Sequence, residues 1–302
     1  MFEQLRHRLA GEGNKGKKEP VIIDKLRSED VTELNLNWNS HFNTPSLRQH
    51  LIEFPGISLR VRGHTDYIIG DQWRRRSDIG QLTETRSRHY RAELVDSLLA
   101  EFTRRGCGAV VVGNDEQSDN SKFYQDAGFI ELERIVYYEK PDMRQDYVHA
   151  GPPINMVLYQ PSPQTLADLL EVDHAAFPWL WWNSQSELEY YFLQEGVVIY
   201  LAYSQNEAGI LRPVGYFGYT LYQRWAHLDR LAVVPDVQGL RVGAYQLAYA
   251  LDLMAQNGAR RVTLSTQLNN TQSQRLYEGF GFQRVKSLEY SLIGKWLNGK
   301  EL

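Results

Sequence analysis

One cysteine, no long apolar run and almost no excess charge leave few specialised options for this 302-residue chain. Cys107 is the only cysteine, so no intrachain disulfide can form, and a reducing, cytoplasmic setting is expected. It sits in Arg104-Arg-Gly-Cys-Gly108 and reads as a small residue at a helix-to-strand turn rather than a nucleophile. No stretch approaches the roughly 20 apolar residues that cross a bilayer, and Met1–Ala10 carries charges where a signal peptide needs an apolar centre, so no membrane partner is expected. The formal net charge is −4, which makes no electrostatic case for nucleic acid. The two dense basic spots, Lys15-Gly-Lys17-Lys18 and Arg74-Arg75-Arg76, read as solvated loops. A 42% hydrophobic and 23% charged composition is that of an ordinary soluble protein, long enough for two cores.

What is present is an internal repeat. Tyr90–Thr103 has Leu94, Val95, Leu98 and Phe102 at helical spacing, Gly106 ends it, and Ala109–Val112 follows as a strand. The second half repeats the order: a helix from Gly243 with Ala244, Leu247, Ala248, Leu251 and Met254 on one face, a stop at Gly258, and a strand from Arg261. Phe123-Tyr124-Gln-Asp-Ala-Gly128-Phe129 then answers Leu276-Tyr277-Glu-Gly-Phe-Gly281-Phe282. The offsets, 258 − 106 = 152 and 277 − 124 = 153, agree to within one residue. Each half opens with a strand and then a helix, at Val21–Ile23 and Glu29–Phe42, and at Met156–Leu158 and Thr165–Phe177. The expected division is a flexible appendage at 1–19, a first domain at 20–140, a Pro/Gly-rich linker at 141–153 and a second domain at 154–302.

The halves differ at one place. Between an apolar strand and a long helix, the second half carries Gln238-Gly239-Leu240-Arg241-Val242-Gly243-Ala244. A glycine-bearing turn that opens a helix offers unpaired N–H groups and partial positive charge to a phosphate. The first half has Thr83-Glu84-Thr85-Arg86-Ser87-Arg88-His89 instead, without glycine and with a Glu where phosphate would approach. One working site per chain is expected.

Two stretches together resemble the GNAT superfamily of acyl-CoA-dependent N-acetyltransferases. Leu228-Asp-Arg-Leu231-Ala232-Val233-Val-Pro235-Asp-Val-Gln238-Gly239-Leu-Arg241-Val-Gly243 is similar to the family's strand and cofactor loop. Asn270-Thr-Gln-Ser273-Gln-Arg-Leu276-Tyr277-Glu278-Gly-Phe-Gly281-Phe282 is similar to its second signature. The close match spans Leu228–Phe282, and Arg241 stands where the loop's first glycine is usual. The resemblance implies an α/β (α+β) fold of two tandem GNAT-like domains, each a mixed, splayed β-sheet flanked by helices. It implies acetyl-CoA as co-substrate, with no metal. Leu231 and Val233 would pair with the pantetheine arm, the amides of Gln238, Gly239, Leu240, Arg241, Val242, Gly243 and Ala244 would hold the pyrophosphate, and Asn270 would contact the cofactor or cap the helix at Thr271.

Amide formation from a thioester needs a base for the incoming amine and an acid for the leaving thiolate. Tyr277, at the family's tyrosine position, is the candidate acid. Ser265 occupies a position that holds a glutamate base in some members and cannot serve. His227 is then the favoured base, with Asp229 on the same face by strand alternation. In the family, the helix and loop after the first strand shape the acceptor pocket, which here carries Phe177, Trp179, Trp181 and Trp182 as an aromatic wall. The acceptor expected is a primary amine of a small molecule or a peptide N-terminus, attacked directly in a ternary complex. Mycothiol synthase, which pairs a degenerate first domain with an active second one, makes a cysteinyl amine an alternative. A non-catalytic CoA-binding protein is the competing class.

Overall fold

The computed structural model describes residues 21–36, 40–143, 151–152, 154–205, 209–297 and 299. The expected appendage at 1–19 and most of the expected linker at 141–153 lie outside them. The first half runs β1 (Ile23–Lys25), α1 (Thr44–Glu53), β2 (Leu59–Val61), β3 (Tyr67–Gln72), β4 (Ile79–Arg86), α2 (Arg91–Arg104), β5 (Ala109–Val112), α3 (Asn114–Asp126) and β6 (Ile130–Lys140). The second runs β7 (Asn155–Leu158), α4 (Pro163–Ala176), α5 (Gln185–Phe192), β8 (Val197–Gln205), β9 (Leu211–Tyr222), β10 (Trp225–Val233), α6 (Val242–Gln256), β11 (Arg261–Gln267), α7 (Thr271–Gly279), β12 (Gln283–Arg284) and β13 (Tyr290–Trp296).

One helix is displaced from its expected place. Among the described residues of 29–42 a short 3-10 turn at Ser28–Glu33 forms in place of the helix, and the helix proper begins at Thr44. Asn43 Oδ1 accepts the Ser46 N–H at 2.9 Å and Pro45 occupies the first turn, both strong start signals that outweigh the weaker periodicity upstream.

A single mixed sheet carries both halves, in the order β1-β2-β3-β4-β5-β13-β6-β11-β10-β9-β8-β7, with β12 also paired to β6. The middle of this order is an exchange. β6 lies between β13 and β11, while β13 lies between β5 and β6, each pairing antiparallel. The last strand of each half is thus embedded among strands of the other. Packing follows the exchange: Val136 and Tyr138 of β6 belong to the second half's core with Leu247, Leu251 and Leu264. Ile293 of β13 belongs to the first half's core with Leu98, Phe102 and Val110, and its neighbour Leu292 points to the opposite face, against Val111, Ile135 and Trp181.

Each half also splays. β10 and β11 pair in parallel only from Trp225↔Arg261 to Leu228↔Leu264. β10 then continues to Val233 beside β9, and β11 to Gln267 beside β6, leaving an opening between them. The first half does the same after Leu82↔Val112. A register shift marks both openings, at Asp229 in β10 and at Thr83 in β4. Such bulges bend a strand away from its neighbour.

Candidate active site

The opening in the second half begins where β10 loses its parallel partner. The Val234 N–H donates to Val214 O, so alternation turns Ala232 toward β9 and leaves the peptide groups of Leu231 and Val233 facing the gap. The Val233 carbonyl there accepts Gln238 Nε2 at 3.0 Å. After a 3-10 turn at Pro235–Val237 the chain passes Gly239 at φ 81° and Arg241 at φ 65°, both left-handed, and enters α6. That conformation costs a non-glycine residue about 1–2 kcal/mol, which Arg241 bears at the family's usual glycine position. Among the described residues, the N–H groups of Gly239, Arg241, Val242, Gly243 and Ala244 donate to no protein acceptor. Those of Gln238 and Leu240 are committed to Pro235 O and Val237 O, so two of the seven amides expected to hold pyrophosphate are spent within the turn. The free amides open onto a cleft of about 820 Å3 lined by Leu231, Val233, Asn270, Ser273 and Leu276, with Arg241 and Arg275 at its wall. The donor set fits a pyrophosphate-bearing ligand: unpaired N–H groups, a helix N-terminus and two guanidinium-bearing residues.

At the inner end of the cleft lies a cavity of about 90 Å3 lined by Asp229, Arg230, Leu231, Ser265, Tyr277 and others. Asn270 lines both spaces while its Oδ1 caps α7 through the Ser273 N–H at 3.1 Å, the capping role expected of it. Tyr277 is buried against Tyr138 and Phe282, and burial pushes its hydroxyl up to about 12, with Ser273 as an opposing hydrogen-bond neighbour. The proton therefore stays on the phenol across the ordinary pH range.

The two base candidates separate here. Asp229 lines the cavity, and its Oδ2 accepts Tyr191 Oη at 2.6 Å and Thr220 Oγ1 at 2.8 Å. Burial raises its carboxyl above the usual range against those hydrogen bonds and the His227 charge. His227 is not in the cavity lining. It sits where β10 and β11 are still paired, with Nδ1 2.7 Å from Thr263 Oγ1 and its ring stacked on Tyr137 at 6.4 Å. Burial pushes the imidazole down, with Asp229 opposing.

The aromatic segment divides as well. Phe177 lines both spaces and Trp181 lines the inner cavity. Trp179 and Trp182 line neither and are engaged elsewhere. Trp179 Nε1 donates to Asp78 Oδ2 at 2.9 Å, the Arg76 guanidinium lies 4.8 Å over its ring, and Trp182 stacks on His174 at 4.7 Å while donating to Phe177 O. Their expected place in an acceptor wall gives way to packing between the halves.

Opposite them stands Arg74-Arg75-Arg76, expected as a solvated loop and found in that junction. Trp73 Nε1 donates to Leu180 O at 2.8 Å, Ser184 Oγ to Arg74 O at 2.9 Å, and Arg76 to Trp179 O. Arg74, at φ 54°, reaches the inner cavity from the first half. Arg230 is beside it, with Nη2 2.8 Å from Asp173 Oδ2 and 2.7 Å from Trp181 O, and its guanidinium 4.0 Å over Phe177. Sequence reasoning missed Arg74, Arg230 and Asp173. The one available signal was three arginines next to a tryptophan in a chain of balanced charge.

The first half shows what closes an opening of this kind. Its strands align at 225 − 79 = 146, which sets Thr85 at the place of Leu231, and Tyr124 answers Tyr277. Helix α3 begins a turn earlier than α7, and that extra turn carries Glu116 into the gap. Glu116 accepts the Thr85 N–H at 2.9 Å and Tyr124 Oη at 2.6 Å, occupying both the open strand edge and the tyrosine proton. The cradle is missing too, because Thr83–Arg86 belong to β4 and only Ser87–Tyr90 connect it to α2. Glu84, expected to repel phosphate, is instead buried and accepts Tyr67 Oη at 2.7 Å and Ser40 Oγ at 2.9 Å.

Comparison with known proteins agrees with this geometry. Residues 165–282 match the family model described as acetyltransferase (GNAT) family. No curated protein matches the chain by sequence. Among solved structures, a GCN5-related N-acetyltransferase from Sphaerobacter thermophilus is similar over 93% of this chain and 98% of its own, at 14% identity and a TM-score of 0.57. A tandem GNAT protein from the clavulanic acid biosynthesis pathway is similar over 93% and 100%, at 12% identity and a TM-score of 0.54. A GCN5-related N-acetyltransferase from Kribbella flavida is similar over 92% and 71%, at 13% identity and a TM-score of 0.61. These likenesses establish the shared fold. The motif-bearing region, residues 165–282, thus resembles the acetyltransferase (GNAT) family in sequence, within a chain whose fold is shared over most of its length with a tandem GNAT protein.

Proposed function

We propose that the chain transfers an acetyl group from acetyl-CoA to a primary amine of a small molecule or peptide N-terminus, and that the second half alone carries the reaction. The observation that bears most weight is the contrast between the two openings: the same strand edge and tyrosine are sealed by Glu116 in one and left facing a cleft in the other. Bound acetyl-CoA would supply the activated acyl thioester. The free amides of Gly239 and Arg241–Ala244 would hold its pyrophosphate, and Leu231 and Val233 would pair with its arm once Gln238 Nε2 leaves the Val233 carbonyl. Tyr277 holds a proton at Oη for the departing thiolate.

Asp229 is the better-placed base. It lies in the cavity, Tyr191 and Thr220 fix one of its oxygens, and its raised affinity for protons brings it closer to the task than an ordinary carboxylate. His227, behind it, is held by Thr263 and Tyr137 outside the cavity lining. Asp229→Asn is expected to lower turnover by about 100-fold or more. Its folded-state pKa is raised, so the ionised group opposes folding above that pKa, and the stability it contributes is lost as pH rises through it. The same variant should therefore melt no lower than wild type at neutral pH. For the wild type, kcat/KM should fall as pH drops through the raised Asp229 pKa. A flat acid limb in the pH profile would remove Asp229 from the role.

The reading as a whole is tested by thermal melting with acetyl-CoA. At 100 times Kd the cofactor should stabilise the fold by about 2.7 kcal/mol. A Cβ at Gly243 would meet Leu276 and Val233 at ordinary contact distances of 3.5 and 3.6 Å, so Gly243→Ala should fold normally yet show a smaller shift. Release of free thiol with a panel of amines then measures turnover. No shift at saturating acetyl-CoA would sink the proposal.

A further inference from the structure

We propose that the acceptor amine also carries a carboxylate, which Arg74 of the first half receives inside the inner cavity. This rests on the acyltransferase reading above and names the acceptor's chemical class.

The argument starts from charge. Two guanidinium groups, Arg74 and Arg230, line a cavity of about 90 Å3. Arg230 is matched by the buried Asp173, whose carboxylate also accepts Tyr216 Oη at 2.5 Å, the Asn183 N–H at 2.8 Å and Asn183 Nδ2 at 3.1 Å. Asp173 has no capacity left for a second cation. Arg74 forms no ion pair among the described residues. Its Nη1 donates to Asn183 Oδ1 at 2.7 Å, and its Nε is buried with no acceptor. The guanidinium is held as a fixed plane, 5.2 Å from the centre of Trp181 and 5.6 Å from that of Trp73. A half-buried cation with a buried, unsatisfied N–H and no bonded counter-charge carries a desolvation cost that a ligand of opposite charge would offset.

The Arg74 guanidinium feels the nearby charges of Glu187 and Asp173 but is bonded to no carboxylate, and a planar fork matches a planar carboxylate better than a dianionic phosphate. Asp229 lines the same space. A molecule with a carboxylate on Arg74 and an amine toward Asp229 satisfies both ends, which describes a free amino acid or a close homologue such as a β-amino acid. The backbone adds a second sign of purpose. Arg74 and Arg75 both adopt left-handed φ, 54° and 51°, a strain that persists when the surroundings impose it and that clusters at ligand clamps.

The experiment compares free amino acids, β-alanine included, with their carboxamides as acceptors, followed by thiol release. Wild type should favour the carboxylate forms by about 100-fold in kcat/KM, and Arg74→Gln should erase the difference by raising KM for the carboxylates. Arg74→Gly is the second variant, since glycine suits φ 54° and removes the half-buried cation, and it should melt at or above the wild-type temperature. Both variants should keep the full acetyl-CoA thermal shift. Equal use of acid and amide by the wild type, or discrimination that survives in both variants, would overturn the proposal. Failure of acetyl-CoA to bind at all would sink the transferase reading instead. Melting with amino acids alone separates the cases, because the carboxylate should stabilise wild type and not Arg74→Gly whether or not turnover occurs.

Discussion

Tyr277→Phe should lower thiol release by about 100-fold or more while leaving the acetyl-CoA thermal shift intact. The ring is packed between Tyr138 and Phe282, and phenylalanine fills the same space, so the variant loses the hydroxyl and its hydrogen bond to Ser273 and little else. Loss of that bond costs about 1 kcal/mol, too little to unfold the domain. The proton that matters is the one that Tyr124 commits to a hydrogen bond with Glu116 in the first half. Tyr124→Phe is therefore the matched control, with no effect expected on turnover. A Tyr277→Phe enzyme that releases thiol like wild type would show that the departing thiolate takes its proton elsewhere.

The second large effect concerns the fold. Residues 20–143 and 151–302, produced separately, should each fail to fold, and together they should assemble into a complex that acetyl-CoA stabilises. The reason is the exchange of final strands. Without β13, strand β5 loses its antiparallel partner along Ala109–Val111 and the first core loses Ile293 and Leu297. Without β6, strand β11 loses its partner along Val262–Gln267 and the second core loses Val136 and Tyr138. Burying each of these side chains is worth about 1.5–3 kcal/mol, and the exposed edges would invite aggregation. Circular dichroism and analytical gel filtration on each fragment decide the matter. A cooperative melt from either fragment alone would mean that the exchange is dispensable.

Local patterns were legible in the sequence and long-range ones were not. The strand Ala109–Val112 matches its expected limits, α2 lies within a residue of its own, and α7 starts at Thr271 as expected, because periodicity and glycine stops are written in neighbouring residues. The repeat in register was legible for the same reason. The exchange of β6 and β13 was not, since both strands look alike as apolar runs and nothing local names their partners. Among site residues, the loop from Gly239 to Ala244 could be found because a backbone cradle leaves a signature of missing side chains. Arg74 could not, because its value depends on Asp173 being saturated by Arg230, Tyr216 and Asn183, four residues spread over three segments. Trp179 and Trp182 misled because an aromatic cluster looks the same whether it faces a ligand or the other half. Asp229 and His227 were expected to share a face, and the register shift at Asp229 is what gives them different surroundings.

The exchanged strands also bear on how the protein comes off the ribosome. The first half cannot complete its sheet when its own residues have been made, because the strand that covers β5 is translated long after it. After Val112 the ribosome must add 184 residues to reach Trp296 (296 − 112 = 184), or roughly 10–40 s of synthesis. During that interval the edge of β5 has to be sheltered by something other than its final partner, so this chain's exposure to aggregation should depend on translation speed and chaperone supply more than its native stability would indicate.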